Sequence, residues 1–408
     1  MTSRAIAFVC LAVMNAPAYC GVSEPHRSEP DATLRAVRRR GSAGPVVEEG
    51  LDRIALAGYQ QEYVQVSSRK TGGWSSGGLV TAFGCPQAPA AAAKALPQSS
   101  TYNVGASGAG DYDFIRRAPA GATTSIAPGT CRERLKITRP NIRPRGSGPD
   151  ARKTVIVFDA SAVENSRTLH SATVEMTGDG FTPENLTFAN DFDAHHPQLP
   201  QGSQASALMV TAGHAVFRDM RFLGNQDTLC AGTPRCTPSG DRRCETARQY
   251  LVDAFIERNV NFIFGNGKAV FEGCEIQSTA HGPGVYIAAQ SRNAPDEDRI
   301  YGFDHCSLTA APGAAHVSFG GPWKPYAAVV YRNTEMGARI EPSGLHEWHA
   351  GQTHSQEAAF DAKYHSSGPG AHPAEREPYS RQPTTQEAAR YDPRHVLAGA
   401  DRWDALAK

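Results

Sequence analysis

The sequence predicts an all-β solenoid in which short parallel strands are wound into a stacked coil. Three observations predict it. From Tyr102 onward, short runs rich in β-branched residues alternate with turn residues: Thr154-Val155-Ile156-Val157-Phe158, Leu186-Thr187-Phe188, Val285-Tyr286-Ile287 and Ala328-Val329-Val330-Tyr331. A six-residue template, apolar at both ends and followed by a turn, recurs at Phe181–Leu186, Phe217–Phe222, Leu251–Ile256, Phe271–Ile276, Phe303–Leu308 and Tyr331–Met336, with starts 36, 34, 20, 32 and 28 residues apart. Irregular spacing near 30 is what coils with loops of unequal length produce. The 39 Gly and 28 Pro among 408 residues supply the many turns. Stacked coils would bring equivalent strands about 4.8 Å apart. Cys274 and Cys306 hold the same template position in successive repeats, which predicts a buried, reduced pair. A Greek-key sandwich also has many short strands, and the template alone does not separate the two.

Taken in order, residues 1–18 read as a secretory signal. Arg4 precedes the ten-residue apolar run Ala5–Met14, and Ala16-Pro17-Ala18 is a small-x-small cleavage site. Ten apolar residues are too few to span a bilayer. Residues 19–100 read as an N-terminal extension and linker, with a weak helical pattern over Val46–Tyr63. Residues 101–370 carry the repeat. Residues 371–408 read as a tail closing one end of the solenoid, with a short helix over 384–391 and Thr384 as its N-cap. The 41 basic and 41 acidic side chains balance, which argues against a general nucleic-acid binder. After the signal, eight cysteines remain in an export context that permits disulfides, and Cys236 and Cys244 flank a short loop. No paired CxxC motif occurs, and His281, His305, His316, His346, His349 and His354 are scattered, so no metal or cofactor is expected.

The repeat also places polar residues. Asp227 and Asn261 each lie ten residues after an equivalent template start, Phe217 and Leu251. In-phase stacking makes them neighbours on one outer face. Two carboxylates there would split into an acid and a nucleophile; here one partner is an amide, which does not titrate.

These residues belong to a longer ordered set. Gly224–Leu229 (GNQDTL), Val260–Phe271 (VNFIFGNGKAVF) and Gly320–Trp323 (GGPW) resemble the GxQDTL, VDFIFGxxxAVF and GRPW motifs of the pectinesterase family. Pro128–Glu133, Gly180–Thr187, Gln204–Leu208 and Ala288–Arg292 are similar to its PGxYxE, GFxAxNLT, QAVAL and TAQxR segments. The set runs in family order from about Tyr102 to Gly370, roughly two-thirds of the chain.

The resemblance implies a right-handed, single-stranded parallel β-helix with short helical caps that removes methyl esters from homogalacturonan (pectin) without a metal. In that chemistry an Asp attacks the ester, a second Asp serves as acid and then base, and two Gln amides hold the oxyanion. Asp227 matches the acid/base, Gln226 and Gln204 the oxyanion donors, and Trp323 and Phe264 the aromatic walls. Asn261 stands at the nucleophile position and Gly321 at that of the supporting Arg. A carboxamide oxygen is a poor nucleophile, and Gly321 removes the charge that would ionise a neighbouring acid. The expectation is a secreted, monomeric pectinesterase with weakened turnover. The alternatives are a degenerate pectin-binding homologue, or an esterase or thioesterase of another substrate on the same scaffold. Two further residues have ordinary readings: Asp253 faces a turn, and Arg248 pairs with an acid or lies on the surface.

Overall fold

Strands of two to six residues, each ending in a sharp bend, build the molecule. The computed structural model describes residues 53–56, 59–62, 101–104 and 120–407, except 166–167, 197–202, 235–245, 280–284, 349–357 and 378. The signal segment, most of 19–100, Cys236, Cys244, His281, His349 and His354 lie outside the described residues. The chain divides into two compact units, Ser23–Phe83 and the remainder.

In the larger unit the strands stack in parallel into three long ladders and a three-stranded one of Thr101–Val104, Thr123–Ile126 and Arg143–Gly146, a parallel β-helix. The first, of eight strands, runs from Gly129–Arg132 through Thr154–Phe158, Thr187–Asn190, Arg221–Leu223, Phe255–Arg258, Glu275–Ser278 and Ser307–Ala310 to Glu335–Met336. The second, of seven, runs from Leu135–Ile137 through Val174–Met176, Leu208–Val210, Leu229–Ala231, Val260–Gly265 and Val285–Gln290 to Val317–Gly320. The third, of six, runs from His214–Arg218 through Arg248–Val252, Lys268–Glu272, Tyr301–Asp304 and Ala328–Arg332 to Phe360–Tyr364.

The template residues form the interior. Phe217, Leu251, Phe271, Phe303 and Tyr331 pair in one row, and Phe222, Ile256, Ile276, Leu308 and Met336 in another. The rings of Phe271, Phe303 and Tyr331 stack at successive centroid distances of 4.7 Å, which is the coil repeat itself. The first repeat is set two residues off: Phe188, not Leu186, pairs with Phe222, and Ala215 bridges Phe181. A shift of two keeps every side chain on its own face, because the side-chain period is two.

The bend after each template start has its own chemistry. Asn185, Asp219, Asp253, Gly273, His305, Asn333 and His365 occupy equivalent positions, all with φ between 48° and 62°. Asn, Asp, His and Gly tolerate this left-handed region best, because it costs a bulky or β-branched side chain most. Asp253 is therefore a turn residue. Cys274 and Cys306 are buried free thiols on adjacent coils, while Cys131 and Cys230 are each disulfide-bonded.

One expectation is corrected and one is extended. The segment read as weakly helical contains Arg53–Leu56 paired antiparallel with Tyr59–Glu62; Gly58 in the sequence between them disfavours a helix. The tail meets the solenoid's last strand, with Arg381 bridging Ala362 and the Tyr391 ring 5.4 Å from that of Phe360, but it does not stop there. Thr384 does cap Thr385–Ala388, with a capping box to Glu387, but the following helix Pro393–Leu397 lies against the side of the third sheet. There Val396, Leu397 and Ala405 cover the outward-facing Val216, Tyr250 and Val270. Arg248 fastens this strap, pairing with Asp401, donating to the Leu397 carbonyl at 3.1 Å and facing the Trp403 ring at 5.4 Å. Burial of exposed apolar strand residues pulls the tail sideways.

Candidate active site

The site forms at the bend between the first and second sheets. Leu229 pairs with Ile263 and Cys230 with Phe264, so Asp227 and Asn261, two residues earlier, stand at the same position of adjacent coils. The Asp227 N–H donates to the Val260 carbonyl at 3.1 Å. One coil earlier, Gln204 bridges Gln226 in parallel, and the Ala205 N–H donates to the Gln226 carbonyl at 3.1 Å. Three successive coils thus bring Gln204, Gln226, Asp227 and Asn261 to one bend.

Both central residues are held in a left-handed backbone, with φ of 62° at Asp227 and 49° at Asn261. Asn261 also sits in a register shift of the ladder between Val260 and Ile263, where a bulge turns its side chain out of the sheet pattern. The pair does not share equal exposure. Asn261 is half-buried, whereas Asp227 is 8% exposed. Burial alone raises the Asp227 carboxyl to about 8, with no charged partner offsetting it among the described residues. It is protonated at neutral pH and ionises in mild alkali.

Beside this bend the outer face of the second sheet is aromatic. Phe264 packs with Met209, Cys230, Ala289 and Ala172, and Trp323 and Trp348 lie over them. The Phe264 and Trp323 rings are 6.4 Å apart and those of Trp323 and Trp348 6.2 Å. Phe264 is only 3% exposed, so it supports the Trp323 ring from beneath rather than offering a face of its own. Gly321 is buried, and a Cβ on it would meet the His346 carbonyl at 3.0 Å and Trp348 Cε3 at 3.4 Å. A side chain at 321 therefore has to displace the Trp348 segment slightly. A mostly apolar cavity bounded by Ala288, Phe319, Gly321, Leu345 and Asp361 lies on this side and does not include Asp227, Gln204 or Gln226. Among the described residues no cluster of His, Cys, Asp and Glu is arranged to hold a metal, and no helix is long and apolar enough to cross a membrane.

Two groups here were not singled out from the sequence. Tyr286, which pairs with Val260, stacks on the exposed His346 at 5.0 Å. Asp193, Asn225 and Arg258 meet behind the bend. Asn225 was discoverable, being 34 residues before Asn259 as Asp227 is before Asn261. Asp193, on the short helix Phe192–His195 outside the repeat, left no such signal.

A family model described as Pectinesterase matches residues 104–400. Pectinesterase 31 of Arabidopsis thaliana is 32% identical over 303 residues, covering 70% of this chain and 88% of its own length. The fold is similar to that of pectin methylesterase from carrot, with a TM-score of 0.63 and 24% identity over 76% of this chain and 96% of that one. A pectin methylesterase solved in complex with a hexasaccharide superimposes with a TM-score of 0.57 and 25% identity, covering 72% of this chain and 93% of that one.

Proposed function

Because the chain belongs to the pectinesterase family, we propose that it binds homogalacturonan across the Trp323–Trp348 face and hydrolyses its methyl esters at Asp227. The observation that carries this reading is the convergence of Gln204, Gln226, Asp227 and Asn261 on one bend beside an aromatic surface. With Asn261 unable to form an acyl-enzyme, water is the nucleophile. Asp227, as carboxylate, takes a proton from water as its oxygen bonds to the ester carbon. The Gln204 and Gln226 amides donate to the tetrahedral oxyanion. The C–O bond to methoxide then breaks, and Asp227 returns the proton to it, leaving methanol and galacturonic acid, whose carboxyl ionises to solvent as galacturonate. The reading includes a secreted monomer, cut after Ala18 and working without a cofactor.

The protonation state sets the test. A base raised to about 8 makes methanol release from methylated pectin climb with pH and level off above 8. Asn261→Asp, alone or with Gly321→Arg, restores a nucleophile; it raises the rate and adds activity at neutral pH, where Asp227 is protonated and serves as acid. Galacturonan binding without wild-type turnover, together with turnover in the double variant, would identify a pectin-binding homologue instead. Neither binding nor turnover would point to a different ester or thioester.

A further inference from the structure

The backbone at Asp227 and Asn261 is left-handed, a region Asp and Asn tolerate but do not by themselves fix, so its geometry here depends on what surrounds it. The surrounding side chains lie directly behind the bend. Asp193 Oδ1 accepts from Asn225 Nδ2 at 2.6 Å, and its Oδ2 accepts from Arg258 Nη2 at 2.7 Å. Arg258 Nε donates to Asn225 Oδ1 at 3.3 Å. Asn225 Nδ2 also donates to the Ser203 carbonyl at 2.8 Å, and the Asn225 carbonyl accepts from Thr228 Oγ1 at 2.6 Å. Ser203 precedes Gln204, Asn225 precedes Gln226 and Asp227, and Arg258 lies three residues before Asn261. The Asp193 carboxylate therefore joins two of the three segments that carry the four site residues, and Asn225 ties in the third at Ser203. Asn225 is 2% exposed, and both polar atoms of its side chain are engaged. A closed, charge-assisted network of this kind fixes geometry more than a sum of isolated contacts would.

We infer that Asp193, Asn225 and Arg258 are positioning residues that lock the register of the three site segments against one another. They touch neither the ester nor the water. Their loss lets the bend relax, so the transition state suffers while saccharide binding on the aromatic face does not. The inference rests on the proposed reaction only for its kinetic readout; its second readout, the titration of Asp227, needs no turnover.

The experiment uses the full chain with Arg258→Ala, Asp193→Ala and the conservative Arg258→Lys. Methanol release and the pH titration of the Asp227 side-chain carboxyl (followed by carbon-13 NMR) are measured on each. Expected for both Ala variants is a fall in kcat of about 10-fold or more with KM within about 2-fold, and an Asp227 midpoint moved from about 8 toward the ordinary carboxylate range as water enters the bend. Arg258→Lys, which keeps the charge but loses the Nε bond, falls between. Unchanged kcat and midpoint in a folded Ala variant overturns the inference, as does a loss confined to KM. If an Ala variant does not fold, Arg258→Lys decides: wild-type kcat and midpoint overturn the inference, and an intermediate value supports it. If the wild type releases no methanol, the reaction reading fails and the Asp227 midpoint alone decides this one.

Discussion

The second and third sheets are wound from the same coils, yet their outer faces end differently. On the third, Val216, Tyr250 and Val270 are roofed by Val396, Leu397 and Ala405, and Arg248 pins that roof through Asp401 and the Leu397 carbonyl. On the second, Met209, Cys230, Phe264 and Ala289 are met, among the described residues, by the half-buried Trp323 and Trp348. The chain supplies a strap for one apolar face and leaves aromatic rings as the surface of the other. A uniform stack would need neither; the difference separates a face used for stability from the one proposed to meet the saccharide.

Three experiments press on that division. The largest effect belongs to the open side: Asp227→Ala removes the base and should cut methanol release by about 100-fold or more without unfolding the chain. If activity survives, the open face is not where the chemistry occurs. Next comes the strapped side, where Leu397 is 2% exposed. Leu397→Ala should cost about 2–4 kcal/mol by emptying its packing site, seen as a lower denaturation midpoint, while kcat and KM stay as they were. A matching loss of activity would show that the two faces are coupled. A third effect is a pH dependence of stability. The Asp227 carboxyl is near 3.8 when solvated and about 8 when folded, so the native state binds a proton that the unfolded chain releases. Stability therefore falls as pH rises from about 4 to about 8. Asp227→Asn should match wild type at pH 4 and melt higher at pH 9; parallel melting curves across that range would mean that burial is not what shifts Asp227.

Much of the scaffold was legible because solenoid rules are local. Phe217, Leu251, Phe271, Phe303 and Tyr331 announce one interior row by spacing alone, and the first repeat slipped only because Leu186 and Phe188 both face inward and both fit the template. The juxtaposition of positions 227 and 261 followed from counting along two coils of equal length. The strap was not legible because Thr384 and Glu387 define a helix start without saying which apolar face the next helix, Pro393–Leu397, will meet. Phe264 was read as a wall because its motif neighbours line the site, whereas its burial depends on where Trp323 settles.

The sequence by itself therefore determined the strand rows, the left-handed bends at Asn, Asp and His, and the meeting of Asp227 with Asn261, since alternation and backbone tolerance act within a few residues. Tertiary structure alone decided the raised carboxyl of Asp227, the strap held by Arg248 and Asp401 across 153 residues, and the joining of Asp193 to Asn225 and Arg258 across 32 and 65. Desolvation and long-range hydrogen bonding depend on which distant segments end up adjacent, and insertions outside the repeat carry no periodic trace of that.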